Sequence, residues 1–144
     1  MQVPEALQPL VASSRFDRGE LTLELAPENL LEVCRILKHQ LRFERLSDVT
    51  AVDRYPAEPR FELIYHVHSL ENNQRMRLKV RLPGGQPAVE SATPVWRSAN
   101  WYEREVFDLF GVTFLHHPDL RRIMLPDDWQ GHPLRKDYPV EGYK

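Results

Sequence analysis

The sequence predicts an α+β fold: a small antiparallel or mixed sheet with helices packed on one face, plus an extended irregular C-terminal segment. Three observations predict it. Two runs of strict two-residue alternation flank an Asn72-Asn73 pair, which reads as a hairpin. One apolar stripe at helical spacing precedes that hairpin and a second follows it. The last 33 residues keep neither period, yet retain a tryptophan and many large aliphatics. A chain of 144 residues has the length of one domain. The reading divides it into an α+β domain over 1–111 and a partner-binding segment over 112–144.

The elements follow in order. Residues 1–19 are weakly patterned, with Pro4, Pro9 and Gly19 placed to interrupt any long element. Glu20-Leu21-Thr22-Leu23-Glu24-Leu25 alternates and reads as a half-buried strand. Pro27 suits the first position of a helix, and Leu30, Val33, Cys34, Leu37 and Leu41 share its apolar face, so the spacing predicts a helix over 27–41. On that stripe Cys34 reads as a small core hydrophobe rather than a reactive thiol. Residues 43–53 predict a strand with imperfect alternation. Phe61, Leu63, Tyr65 and Val67 share one strand face; Met76, Leu78, Val80 and Leu82 share the next. A two-residue Asn72-Asn73 turn pairs Val67 with Leu78, Tyr65 with Val80 and Leu63 with Leu82. The opposite face carries Glu62, His66 and His68 against Arg77, Lys79 and Arg81, a solvated sheet face. The buried side needs a cover, and the 27–41 helix supplies one. Further on, Val95, Ala99, Tyr102, Val106 and Leu109 predict helix, started either by Thr93-Pro94 or by Asn100 with Glu103 as capping-box partner, and ended by Gly111 in the left-handed position.

Composition excludes several classes. The net charge of -2 lacks the basic excess of a general nucleic-acid binder. The single cysteine forms no internal disulfide, four-cysteine zinc site or four-thiolate cluster. The start, Met1-Gln2-Val3-Pro4-Glu5, has no secretory pattern, no run approaches the ~18 apolar residues of a membrane span, and the thiol economy fits the cytoplasm. In the last segment five basic residues balance five acidic ones, which disfavours nucleic acid there. Pro118, Pro126, Pro133 and Pro139 block regular hydrogen bonding, while Phe114, Leu120, Met124, Trp129 and Leu134 require something to lie on. A second polypeptide is the economical surface.

Two places carry chemistry-bearing side chains. Glu103, Glu105 and Asp108 share a helix and suit acid/base work, but Arg104 precedes Asp108 by four residues, so an intrahelical ion pair is expected. His116, His117, Asp119 and His132 have metal-ligand chemistry, but adjacent histidines diverge in an extended chain. Arg121, Arg122, Arg135 and Lys136 interleaved with Asp119, Asp127, Asp128, Asp137 and Trp129 read as a protein interface.

Two stretches then resemble a known family. Glu103-Arg104-Glu105-Val106-Phe107-Asp108-Leu109-Phe110-Gly111 followed by His117-Pro118-Asp119-Leu120-Arg121-Arg122-Ile123 is similar to the signature of the thirty-kilodalton subunit (the C subunit) of proton-translocating NADH–quinone oxidoreductase, respiratory complex I. Asp128-Trp129-Gln130-Gly131-His132-Pro133-Leu134-Arg135-Lys136-Asp137 resembles its second hallmark. One departure is His116, where many members carry a small residue, often glycine; a position needing φ > 0 suits histidine less well. The resemblance implies a peripheral-arm subunit without catalytic residues or cofactors, NADH, FMN, iron–sulfur clusters and quinone being held by other subunits. It implies a C-terminal segment extended over the quinone-site subunit (the D subunit), and a place on the cytoplasmic side of the bacterial membrane. The signature residues are then expected at partner contacts or in motif-shaping ion pairs, and the segment is expected to be mobile or differently folded without a partner. The equivalent subunit of a membrane-bound hydrogenase, formate hydrogenlyase or ferredoxin- or deazaflavin-dependent complex is the alternative, and a stand-alone α+β enzyme a further one.

Overall fold

A computed structural model describes residues 2–142; Met1, Tyr143 and Lys144, at the ends of the two predicted stretches, lie outside the described residues. Five strands form a mixed sheet: β1 (Val11–Asp17), β2 (Glu20–Leu25), β3 (Arg45–Asp53), β4 (Phe61–Ser69) and β5 (Gln74–Leu82), in spatial order β1-β2-β5-β4-β3. Only β2 and β5 run parallel within it. Helices α1 (Leu30–His39) and α2 (Ala99–Phe110) supply the apolar cover. A short parallel pair, β6 (Ala88–Glu90) and β7 (Thr113–Leu115), sits beside them.

The alternating runs decide which face is covered. Leu21, Leu23, Leu63, Tyr65, Val67, Met76, Leu78 and Val80 are all at most 1% exposed, against Val33, Cys34 and Leu37 of α1 and Val106 of α2. This is the one-sided sheet expected from strict alternation. Helix α1 is shorter than predicted: Pro27–Asn29 forms a 3₁₀ turn with Pro27 at its start, and the α-helix ends at His39.

Four differences from the sequence reading have physical causes. The hairpin register is shifted by two residues: Val67 pairs with Met76, Tyr65 with Leu78, Leu63 with Val80, and Leu70–Asn73 form a four-residue loop with Asn73 at φ 49°. An even shift leaves every side chain on its face, so apolar patterning cannot distinguish the two registers. Strand β1 has no counterpart in the sequence reading; as an edge strand exposed along nearly its whole length it needs no alternation. It turns into β2 through Arg18 (φ 53°) and Gly19 (φ 79°). The imperfect alternation of β3 is a bulge: the register shifts between Leu46 and Asp48, so Leu46 and Val49 both point inward although three residues apart. Finally, a turn at 92–98 precedes α2, and Glu103 forms no capping box, because its carboxylate is directed into the core.

The segment that begins at Val112 opens with structure of its own. Val112 and Phe114 are buried in the main core, and β7 adds to β6. Three residues are too few for a strand period to show in the sequence.

Candidate functional site

Six of the predicted signature residues, Asp108, Gly111, Arg122, His132, Leu134 and Arg135, converge on the C-terminal end of α2. The last four carbonyls of a helix have no partner within it. Here each finds one outside. Gly111, at φ 78°, donates its N–H to Phe107 O at 2.8 Å. Asp108 O accepts from Arg122 Nη1 at 3.1 Å and from His132 Nδ1 at 2.9 Å. Leu109 O accepts from Leu134 N at 3.0 Å, and Phe110 O from Arg135 Nε at 2.6 Å. The second hallmark is therefore, in this chain, the cap of the helix that carries the first.

Asp108 organises the loop between them. Its carboxylate is buried. Oδ2 accepts three successive backbone N–H groups, from Ile123, Met124 and Leu125 at 3.1, 2.7 and 3.1 Å. Oδ1 accepts from Arg122 Nη1 at 2.8 Å. Consecutive amides curled about one oxygen form an anion nest. Burial works to raise the Asp108 carboxyl, but the three amides and the guanidinium outweigh it and hold it below the ordinary carboxylate range. Arg122 Nη2 also reaches Gly131 O at 2.8 Å, joining the two hallmarks. The expected Arg104–Asp108 pair does not form, because Asp108 is engaged by better donors. Arg104 lies instead over Trp101 at 5.2 Å and 3.9 Å from Asp119.

A second anchor has no signal in the sequence. Arg60 grips Asp53 through Nε and Nη2, both at 2.8 Å, and Asp137 through Nη2 at 2.6 Å and Nη1 at 3.3 Å. The guanidinium stacks between Tyr55 and Phe61, 4.7 and 4.9 Å from their centroids. Asp53 Oδ2 also takes the backbone N–H of Lys136 at 2.7 Å. Hydrogen bonds from Arg60 hold both the Asp53 and Asp137 carboxyls low. No spacing rule connects positions 53, 60 and 137, so only the folded chain brings them together.

The three histidines go to three places. His117 is a buried side chain whose Nδ1 accepts the Asp119 N–H at 2.9 Å; the ring proton then sits on Nε2 and faces Asn100 O at 3.1 Å. His116 is exposed, adopts φ 63°, and contacts Glu90 Oε2 at 2.9 Å, so the position where the family pattern favours glycine does carry the left-handed backbone. His132 caps α2, and burial lowers its pKa. Among the described residues, no three His, Cys, Asp or Glu side chains group to hold a metal.

The remaining predicted residues divide by exposure. Leu120 packs on the core, and Gly131 and Pro133 are half-buried. Among the described residues, Arg121 pairs with exposed Asp119, Nε to Oδ2 at 3.0 Å. Glu105 is half-buried; Pro118, Asp128 and Lys136 are exposed. Met124, Trp129 and Leu134 are 59%, 42% and 52% exposed, displayed by a segment that Arg122, His132 and Arg135 tie to α2.

A sheet covered on one side, with an irregular arm stapled across the end of a helix and apolar side chains left outward, defines an α+β subunit of a larger assembly. The chain belongs to the family described as the respiratory-chain NADH dehydrogenase 30 Kd subunit, whose model matches residues 23–144. A relative from Geobacter sulfurreducens, the C subunit of NADH-quinone oxidoreductase, is 46% identical over 143 residues, covering 99% of this chain and 88% of that protein. Among solved structures, a trypsin-resistant fragment (1-134) of Nqo5 is 32% identical, with TM-score 0.69 over 75% of this chain and 89% of that one. A chain of the membrane-bound sulfane sulfur reductase, an archaeal respiratory membrane complex, is 27% identical, with TM-score 0.82 over 93% of this chain and 81% of that one. Among the described residues no helix is long and apolar enough to cross a membrane.

Proposed function

We propose that this subunit of NADH–quinone oxidoreductase works by geometry: its 112–144 segment lies along the quinone-site subunit (the D subunit) and fixes that neighbour in the peripheral arm during electron transfer from NADH to quinone. In this reading the chain contributes no catalytic residue and no cofactor. NADH, FMN, iron–sulfur clusters and quinone belong to other subunits, and the chain sits on the cytoplasmic side of the membrane, held by the complex. The observation that supports it is the division within the segment. Four of its motif polar groups, Arg122, His132, Arg135 and Asp137, are engaged by this chain's own domain, while Met124, Trp129 and Leu134 remain exposed. Large apolar side chains presented on a fixed frame are what a partner's apolar grooves take up, and tryptophan and arginine carry a disproportionate share of such binding.

The test is co-purification of the complex carrying Trp129→Ala or Arg121→Ala. Both residues are exposed and neither belongs to the buried core, so the isolated variants are expected to fold. Trp129→Ala is expected to lower assembled complex by about tenfold or more, the loss of a hot-spot side chain. Normal assembly of both variants would remove the interface reading.

A further inference from the structure

Glu103 stands apart from the docking frame. Its carboxylate is fully buried, accepts Ser91 Oγ–H at 2.6 Å and Ala92 N–H at 2.8 Å, and has no Lys or Arg nitrogen within 4.0 Å among the described residues. Ser91 Oγ in turn lies 2.8 Å from the hydroxyl of half-buried Thr93 and accepts Thr93 N–H at 3.1 Å. We propose that Glu103 is a buried proton-binding site, loaded through the hydroxyls of Thr93 and Ser91, whose charge sets how firmly the root of the C-terminal segment is held.

The hydrogen-bond chain works in both protonation states. When Glu103 is ionised, Ser91 donates to it. When Glu103 is protonated, its own O–H donates to Ser91 Oγ and the Ser91 hydrogen turns to Thr93. Loading conserves protons: a solvent hydronium ion gives one proton to Thr93 Oγ1 and leaves as water, the Thr93 hydrogen passes to Ser91 Oγ, and the Ser91 hydrogen passes to Glu103 Oε1. Each O–H bond broken in the relay is matched by one formed, and hydroxyl rotation resets Ser91 and Thr93 once the proton leaves.

The groups facing this carboxylate leave its charge uncompensated. They are the Cys34 thiol from α1, the Tyr65 phenol from β4 and the His117 ring after β7; Arg104 on α2 is turned to Trp101 and Asp119. Burial pushes Glu103 up to about 7, against the lowering effect of its two donors. His117 Nε2 is 4.0 Å from Glu103 Oε1 and 3.1 Å from Asn100 O. An ionised Glu103 therefore competes with Asn100 for the Nε2–H, while His117 Nδ1 carries the amide of Asp119.

Infrared difference spectra of the chain from about pH 5 to about pH 9 test this, with Glu103→Gln assigning the carboxyl band. The expected result is a protonated-carboxyl band lost with a midpoint of about 7 and absent from Glu103→Gln. Hydrogen exchange is the second readout. The protection of the Asp119 amide is expected to fall by about tenfold across that range in the native chain and to stay constant in Glu103→Gln. Ser91→Ala, which retains the carboxyl, is expected to raise the midpoint by about one unit, because the ionised form loses its charge-assisted donor; it also serves if Glu103→Gln does not fold. A Glu103 band already absent at about pH 5, or Asp119 protection that follows pH equally in Glu103→Gln, overturns the proposal.

Discussion

Asp108 shows how one side chain sets the conformation of a distant loop. Three amides and one guanidinium converge on a carboxylate with no exposed surface. Asp108→Asn keeps the shape but removes the charge, and its NH₂ meets donors. The expected cost is about 2–4 kcal/mol, read as a lower urea midpoint at unchanged slope, with faster exchange of the 123–125 amides. An unchanged midpoint would show that the nest forms without the charge. Acid titration carries two opposite signatures. Asp53, Asp108 and Asp137 have folded pKa values below the ordinary 3.8, so their contribution is full above that value and is lost as pH falls through the lowered ones. Glu103 has a folded value raised from 4.5 to about 7, so the folded state binds the extra proton and stability falls as pH rises between those values. Thermal stability is therefore expected to peak between the two and decline on both sides, the decline above the peak being reduced by His132, whose burial-lowered value makes its contribution grow as pH rises toward the ordinary 6.5. Glu103→Gln should flatten the decline above the peak and leave the acid limb in place.

At the scale of elements, periodicity is what the sequence makes legible. Helix α1, strands β2, β4 and β5, the covered face and the left-handed Gly111 follow from spacing alone. The rest needs partners far away in sequence, or shifts that periodicity cannot detect. The β4–β5 register differs by two residues, β1 has no buried face to advertise itself, and the bulge in β3 disguises Leu46 and Val49 as a broken pattern. The candidate site divides in the same way. The motifs mark where it is, but not that Arg122, His132 and Arg135 turn toward α2 of their own chain. Gly111 tests that cap. A Cβ there would stand 2.6 Å from both Arg135 Nη2 and His132 Cδ2, at a backbone φ of 78°. Gly111→Ala is expected to cost about 1–3 kcal/mol, combining left-handed strain with displaced capping side chains. The Leu134 amide should lose protection more than any amide of β4. Equal losses throughout would indicate general destabilisation instead.

For the whole molecule, the sheet and the C-terminal segment are tied through Arg60. It joins the end of β3, the start of β4 and residue 137 in one ion cluster between two aromatic rings. Arg60→Met leaves Asp53 buried and uncompensated and is expected to cost about 3–5 kcal/mol by chemical denaturation. Asp137→Asn, at a half-exposed position, should cost under about 1 kcal/mol. Comparable losses from both would mean that the segment, not the buried pair, carries the stability. The helix cap has one more consequence, in time. The carbonyls of Asp108, Leu109 and Phe110 meet their donors only when residues 122–135 exist. At about 5–20 residues per second, the ribosome takes roughly one to five seconds to travel from Gly111 to Arg135. Through that interval the nascent helix ends in open acceptors, and its cap closes only once residue 135 has been made.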